Sequence, residues 1–427
     1  MKEDQIRNAL RQLSVREYIG FSRSQGRASL DQELRHRAAT LYEQIHWFRQ
    51  KEPFTSKQLA TTLDLAERVL FSEWFFLNHP EPRYPAYTNI HVLNWVLGTT
   101  RRATWSTVRA RCWMAIQVLL QDLLSFEVCS LAQVEPWQQQ SCDLHVVDRR
   151  VHLLQKLHAQ LTNVQFQLLA RIQMDAPPDD WFSYTLDESR TLALLYLTAL
   201  PQTQEHDEFL FLRTIHISEC IFWAVLAGVV AAIESAKCGQ LDSAAAHLSD
   251  AVTFAKVLVP LFQMFKTMPP EHFAKFRDAT GNASAIQSRT YQLMQIFTAG
   301  LDERNAENFA ATPEIADLVF YGHPRFVDLR TVLCTVEGNT PPGATAFAAQ
   351  AAALDQALYA WRCLHLGIAR HYLPAEATTG TGGTRGTPYL EMIYRRKILP
   401  TNYRRTFWPD IRPPVHVHAR PVLSPMN

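Results

Sequence analysis

Along most of the chain, apolar residues return at intervals of three and four. The segments 108–128 (VRARCWMAIQVLLQDLLSFEV), 151–174 (VHLLQKLHAQLTNVQFQLLARIQM) and 245–265 (AAHLSDAVTFAKVLVPLFQMF) each keep an apolar face under a 3.6-residue period. That spacing predicts amphipathic helices. Alternating β-branched runs are scarce, so the pattern predicts an all-α fold, and no internal repeat stands out. Proline and glycine punctuate it. NHPEPRYPAYTN (78–89) carries three prolines and reads as a loop, DAPPDD (175–180) as a boundary turn, and GNTPPGATA (338–346) as the lead-in to a helix. The chain therefore divides near residue 176. An N-terminal helical region of unassigned role (1–175) precedes a second helical part (176–412) and an extended, proline-rich tail (413–427).

Composition narrows the function classes. A chain of 427 residues that is 47% hydrophobic and 19% charged can bury a sizeable core. With 42 basic against 41 acidic residues the net charge is +1, which leaves no electrostatic footprint for nucleic acid. The opening MKEDQIRNAL has no apolar stretch of the secretion-signal kind. The longest apolar run, IFWAVLAGVVAAI (221–233), is shorter than the ~20 residues a bilayer span needs. It reads as a buried helix. Seven cysteines without a CxxC pair suit a reduced compartment. The expectation is a cytoplasmic protein with neither membrane nor nucleic acid as partner.

Four places could carry chemistry. Leu354, Leu358, Trp361, His365, Ile368 and Tyr372 share one helical face, which sets the His365 imidazole on an apolar stripe. Such a histidine is either a hydrogen-bonded core residue or a single axial ligand to a haem iron in a dry pocket. Arg277 follows Phe273 and Phe276 and precedes a turn of small polar residues. It reads as a surface charge, a helix cap, or a fork for a substrate carboxylate. His216 and Cys220 are four apart, a ligand-compatible spacing, but no second pair completes a zinc set. The glycine- and threonine-rich stretch ATTGTGGTRGTPYL (377–390) is no phosphate loop, because Arg385 stands where GxGxxG needs its last glycine and no Lys-Ser or Lys-Thr pair follows.

Taken in order, SYTLDESRTL (183–192), HDEFLFLRTIHISE (206–219), FAKFRDATGNASAIQS (273–288), AWRCLHLGIARHYL (360–373) and GTGGTRGTPYL (380–390) resemble the tryptophan 2,3-dioxygenase family. The resemblance covers about residues 181–412. It implies an all-α, helical-bundle domain that binds haem b and acts with O2 on tryptophan or a related aromatic amino acid, as a homo-oligomer (dimer or tetramer). It further implies that His365 ligates the haem iron and Arg277 pairs with the substrate carboxylate. Thr381 and Gly382 would close over the substrate's charged end, the glycines letting the loop move as a lid. Tyr184, Phe211 and Ser284 would line the pocket. The chain departs from the family in places. Ile215 stands where the family has a distal histidine, and His216, the next residue, is turned by about 100° on a regular helix. Asp187 replaces an expected tyrosine, the stretch between Gln287 and Trp361 is short, and residues 1–175 have no recognised counterpart. Opening of the indole C2–C3 bond to N-formylkynurenine, hydroxylation of an aromatic amino acid, and a non-catalytic haem-binding or interaction role are the functions compatible with this pattern.

Overall fold

Caps and breakers in the sequence set where the helices start and stop. The structure, a computed structural model, describes residues 3–51, 56–79, 81–98, 104–132, 143–161, 186–301, 303–323, 326–337 and 342–372. Helices α1 (Glu3–Gln12) and α2 (Val15–Gln25) flank Ser14, whose hydroxyl accepts the Glu17 N–H and caps α2. Next, α3 (Gln32–Lys51) packs on α4 (Lys57–Asn78), which Ser56 caps by accepting the Leu59 N–H at 3.1 Å. Short helices α5 (Tyr84–Thr88) and α6 (Ile90–Leu97) meet at Asn89, which is left-handed at φ +50°. Then come α7 (Trp105–Ala132), α8 (Leu144–Leu161) and α9 (Leu186–Leu192), the last running into a π-helical turn at Ala193–Leu197. The widened turn presents its carbonyls to Arg213, whose guanidinium donates to Leu194 and Leu195.

The centre is built from α10 (His206–Lys237) and α11 (Leu241–Phe265). After them follow α12 (Pro270–Arg277), α13 (Arg289–Ala299), α14 (Glu303–Ala310), α15 (Leu329–Glu337) and α16 (Ala344–Tyr372). Helix α11 packs on both α10 and α16, while α7 and α13 also lie against α10. The fold is all-α, with no strand among the described residues. One hydrophobic core runs from Ile6 through Leu119, Ile221 and Leu258 to Ile368, so the helices before residue 162 and those after residue 185 bury their apolar faces together. The boundary expected near residue 176, the 377–390 loop and the 413–427 tail lie outside the described residues.

Two expectations need correction. Part of 78–89 is helical, because Pro85 sits in the first turn of α5, where its missing N–H costs nothing, and Tyr84 and Tyr87 are buried. The apolar run 221–233 is buried in a helix as expected, but that helix has 32 residues, so the shortness of the run does not by itself exclude a bilayer span. By length and composition alone, α7, α10 and α11 are each long and apolar enough to cross a membrane. In this fold α10 and α11 turn most of that apolar length against other helices.

Candidate active site

From Asp207 to Leu226 every side chain of α10 is buried except those of Phe211 and Ile215, which are partly exposed. Four residues apart, they open on one face of the helix. The Phe211 ring lies 5.5 Å from Phe276, 5.8 Å from Phe273 and 5.9 Å from Phe265, so α11 and α12 close around it. Arg277 is the last residue of α12 and is partly buried. Its carbonyl accepts the Thr280 hydroxyl at 2.7 Å, while its guanidinium has no hydrogen bond or ion pair among the described residues. Ser284, also partly buried, stands seven residues on, at the start of a short 3-10 turn.

His365 approaches from α16. At one end of that helix's C-terminal half Trp361 packs on Phe222 of α10 at 5.4 Å. At the other, the Tyr372 ring lies 5.4 Å from Phe273, which in turn touches Phe211. Rising residue number on α16 therefore runs with falling number on α10. His365 stands near the level of residue 218, about one helical turn from Ile215. Its ring stacks on Trp361 (5.5 Å, 15°) and meets Phe262 edge-on at 5.3 Å. Burial pushes its pKa down to about 4, so the imidazole is neutral at physiological pH. It has no hydrogen-bond partner among the described residues and keeps some exposure, so the hydrogen-bonded core role has no acceptor or donor there to support it. A neutral ring with a nitrogen to spare is what a metal ligand requires.

His216 is different. It is fully buried, and its Nε2–H donates to the Thr88 carbonyl of α5 at 2.7 Å. It faces the N-terminal helices, whereas Ile215 opens beside Phe211. Burial, assisted by the Arg213 charge, holds its pKa down at about 3. Cys220 is fully buried too, and no group of three or more potential ligands is placed to hold a metal ion among the described residues. Tyr184, Thr381 and Gly382 lie outside the described residues.

The histidine shift fixes the sign of an acid sensitivity. An unfolded histidine titrates near 6.5, well above the folded value of about 3 for His216. Protons therefore favour the unfolded chain, and stability falls as pH drops below about 6.5, by up to about 1.4 kcal/mol per unit per group. His91 and His365, each held near 4 by burial, add to the slope. His216→Gln, which keeps a donor for Thr88, will flatten the fall of the urea midpoint between pH 6.5 and 4. An unchanged slope would show that His216 is not held neutral.

Two features escaped the sequence. The first is a clamp of N-terminal residues on α10 and on the turn after Arg277. The Tyr84 hydroxyl donates to Glu219 at 2.6 Å and its N–H to Gln287 Oε1 at 2.7 Å. Ser288 also donates to Glu219, and Tyr87 to Glu208 at 3.2 Å. Asn282 N–H donates to the Pro82 carbonyl at 2.9 Å, and Gly281 (φ +55°) lies so close that a Cβ would come within 2.5 Å of Pro82 Cδ. The second is a buried charge cluster at the start of α10. Arg150 reaches Glu127 at 2.7 Å and Asp207 at 2.8 Å, and the other Asp207 oxygen accepts from His272 Nδ1 at 2.7 Å. Burial works to raise the Asp207 pKa, but the His206 hydrogen bond and the Arg150 charge more than offset it and hold the carboxyl well below its usual range.

No protein-family model matches the chain. Among curated proteins it is similar to the tryptophan 2,3-dioxygenase of Caulobacter vibrioides, 23% identical over 249 residues that cover 50% of this chain and 94% of that protein. The enzyme of the same name from Erythrobacter litoralis is 23% identical over 257 residues, covering 52% and 95%. That of Pseudomonas fluorescens is 22% identical over 269 residues, covering 53% and 94%. These matches support placing the chain as a divergent member of the tryptophan 2,3-dioxygenase family. Its match takes in nearly the whole of these tryptophan 2,3-dioxygenases but only about half of its own length.

Proposed function

We propose that the protein is a haem-dependent oxygenase of tryptophan or a closely related aromatic amino acid, with His365 as the protein ligand to the iron of haem b. The residues present fit the group. His365 is neutral, unpartnered among the described residues and walled by Trp361 and Phe262, and α10 opens beside it at Ile215 and Phe211. Haem, when bound, supplies the activation of O2 toward the aromatic ring, and the protein supplies position and a dry cavity.

The chain's own residues divide the remaining work. Arg277 offers a planar cation with five donors and no competing partner among the described residues, matched to a carboxylate. Phe211 and Ile215 give the aromatic ring an apolar wall. Ile215 can neither take nor donate a proton, so no general base acts from that position. By the family resemblance, Thr381 and Gly382 would cover the substrate's charged end and Tyr184 and Ser284 would complete the lining.

The observation that carries this reading is the pairing of an uncompensated Arg277 with an unpartnered His365 on helices flanking the same open face of α10. Arg277→Leu tests it. The variant will bind L-tryptophan about 1.5–3 kcal/mol more weakly, because a charge-assisted bidentate contact is lost. Haem content will be unchanged, and tryptamine, which lacks the carboxylate, will bind the variant as it binds the parent. Equal losses for both ligands would remove Arg277 from the site.

A further inference from the structure

Helix α12 has eight residues and carries Arg277 at its end. A helix this short does not hold its own position, so whatever anchors it also aims the guanidinium. On its apolar side, Phe273 and Phe276 pack on Phe211. On its polar side two ion-pair contacts stand out among the described residues. Lys275 to Glu205, at 3.5 Å with the lysine half exposed, is a weak constraint. His272 to Asp207 is the strong one, a 2.7 Å contact to a carboxylate that is 3% exposed. Asp207 can only accept, so the His272 Nδ1 carries the proton.

That anchor does not belong to α10 and α12 alone. The second Asp207 oxygen is held by Arg150 of α8, which also binds Glu127 of α7 and Thr267 Oγ1 beyond α11. Arg150 and Glu127 are both fully buried. Without Arg150 the two carboxylates would have only the longer His206 contacts between them in a dry site, and Asp207 would lose its closest anchor on the oxygen away from His272. His272 precedes Arg277 by five residues, roughly 7.5 Å along the axis and on a different side of the helix. It is out of reach of a ligand on Arg277, yet a small rotation of α12 about it displaces the guanidinium.

We infer that His272, Asp207 and Arg150 form a positioning relay for Arg277, through which α7 and α8 of the N-terminal region set carboxylate recognition without touching substrate. The inference rests on Arg277 being the carboxylate site. It gives residues 1–175 a part in the site beyond sharing the core.

Calorimetric titration of the full-length, haem-loaded protein with L-tryptophan and with tryptamine tests it. The parent will prefer L-tryptophan, and Arg277→Leu will lose that preference. His272→Leu will weaken L-tryptophan binding by about 10-fold, the scale expected of an ångström-sized misplacement, and leave tryptamine within about twofold. His272→Gln, whose amide can still donate to Asp207, will recover most of the loss. Should His272→Leu fail to fold, Asp207→Leu, which can neither accept nor donate, carries the same expectation. A parent-like preference in His272→Leu or in Asp207→Leu overturns the relay. So does an equal loss for both ligands that glutamine does not recover. If Arg277→Leu keeps the preference, or the parent binds neither ligand, the carboxylate reading itself falls and the relay with it.

Discussion

His365→Ala will purify as a folded protein without bound haem. The substitution removes a partly exposed ring whose aromatic contacts among the described residues are Trp361 and Phe262 and which has no hydrogen bond there, so the helix that carries it has little to lose. On the proposed assignment the haem iron, by contrast, would lose its protein ligand. Far-ultraviolet circular dichroism will match the parent while the Soret band disappears, and added imidazole will restore haem binding by filling the vacated position. A variant that retains a full complement of haem with a histidine-type spectrum would assign the ligand elsewhere.

Arg150→Met will cost the most stability of any single change considered. The arginine side chain is fully buried between Glu127 (0% exposed) and Asp207 (3% exposed). Methionine fills a similar volume but leaves the two carboxylates with only His206 and His272 beside them and no arginine charge, and breaking a buried pair in this way costs about 3–5 kcal/mol. Urea unfolding followed by tryptophan fluorescence will show it. Arg109→Met, which breaks a half-exposed pair with Asp250, will change stability by under about 1 kcal/mol and serves as the contrast. A loss of similar size in both variants would mean that the Arg150 cluster is not desolvated.

Much of the spine was legible in the sequence because its cause is local. The three-four spacing that runs through Leu354, Trp361 and Ile368 needs only a helix and a core to face, and those residues are buried on α16. The offset between Ile215 and His216 could be stated because one helix residue subtends a fixed angle, and in the structure the two side chains do go separate ways, one partly exposed and one to the Thr88 carbonyl. What stayed hidden depends on partners far apart in the chain. Tyr84 with Glu219, and Arg150 with Asp207, are joined only by the packing of helices, and no spacing rule connects them. Prolines in 78–89 argued for a loop, since propensity cannot see the burial of Tyr84 and Tyr87 that draws α5 into a turn of helix. Tyr184, Thr381 and Gly382 come from the family resemblance alone, their positions lying outside the described residues.

The central claim is oxygen chemistry on an aromatic amino acid, and isotope transfer reads it directly. The haem-loaded protein is reduced without air, mixed with L-tryptophan and exposed to isotopically labelled dioxygen, and the amino-acid fraction is analysed by mass spectrometry. The account predicts a product heavier than tryptophan by labelled oxygen, two atoms if the indole ring is opened, and roughly 10- to 150-fold less product from Arg277→Leu at limiting substrate. Tryptophan recovered unchanged and unlabelled, from protein that carries its haem and binds tryptophan, would contradict it.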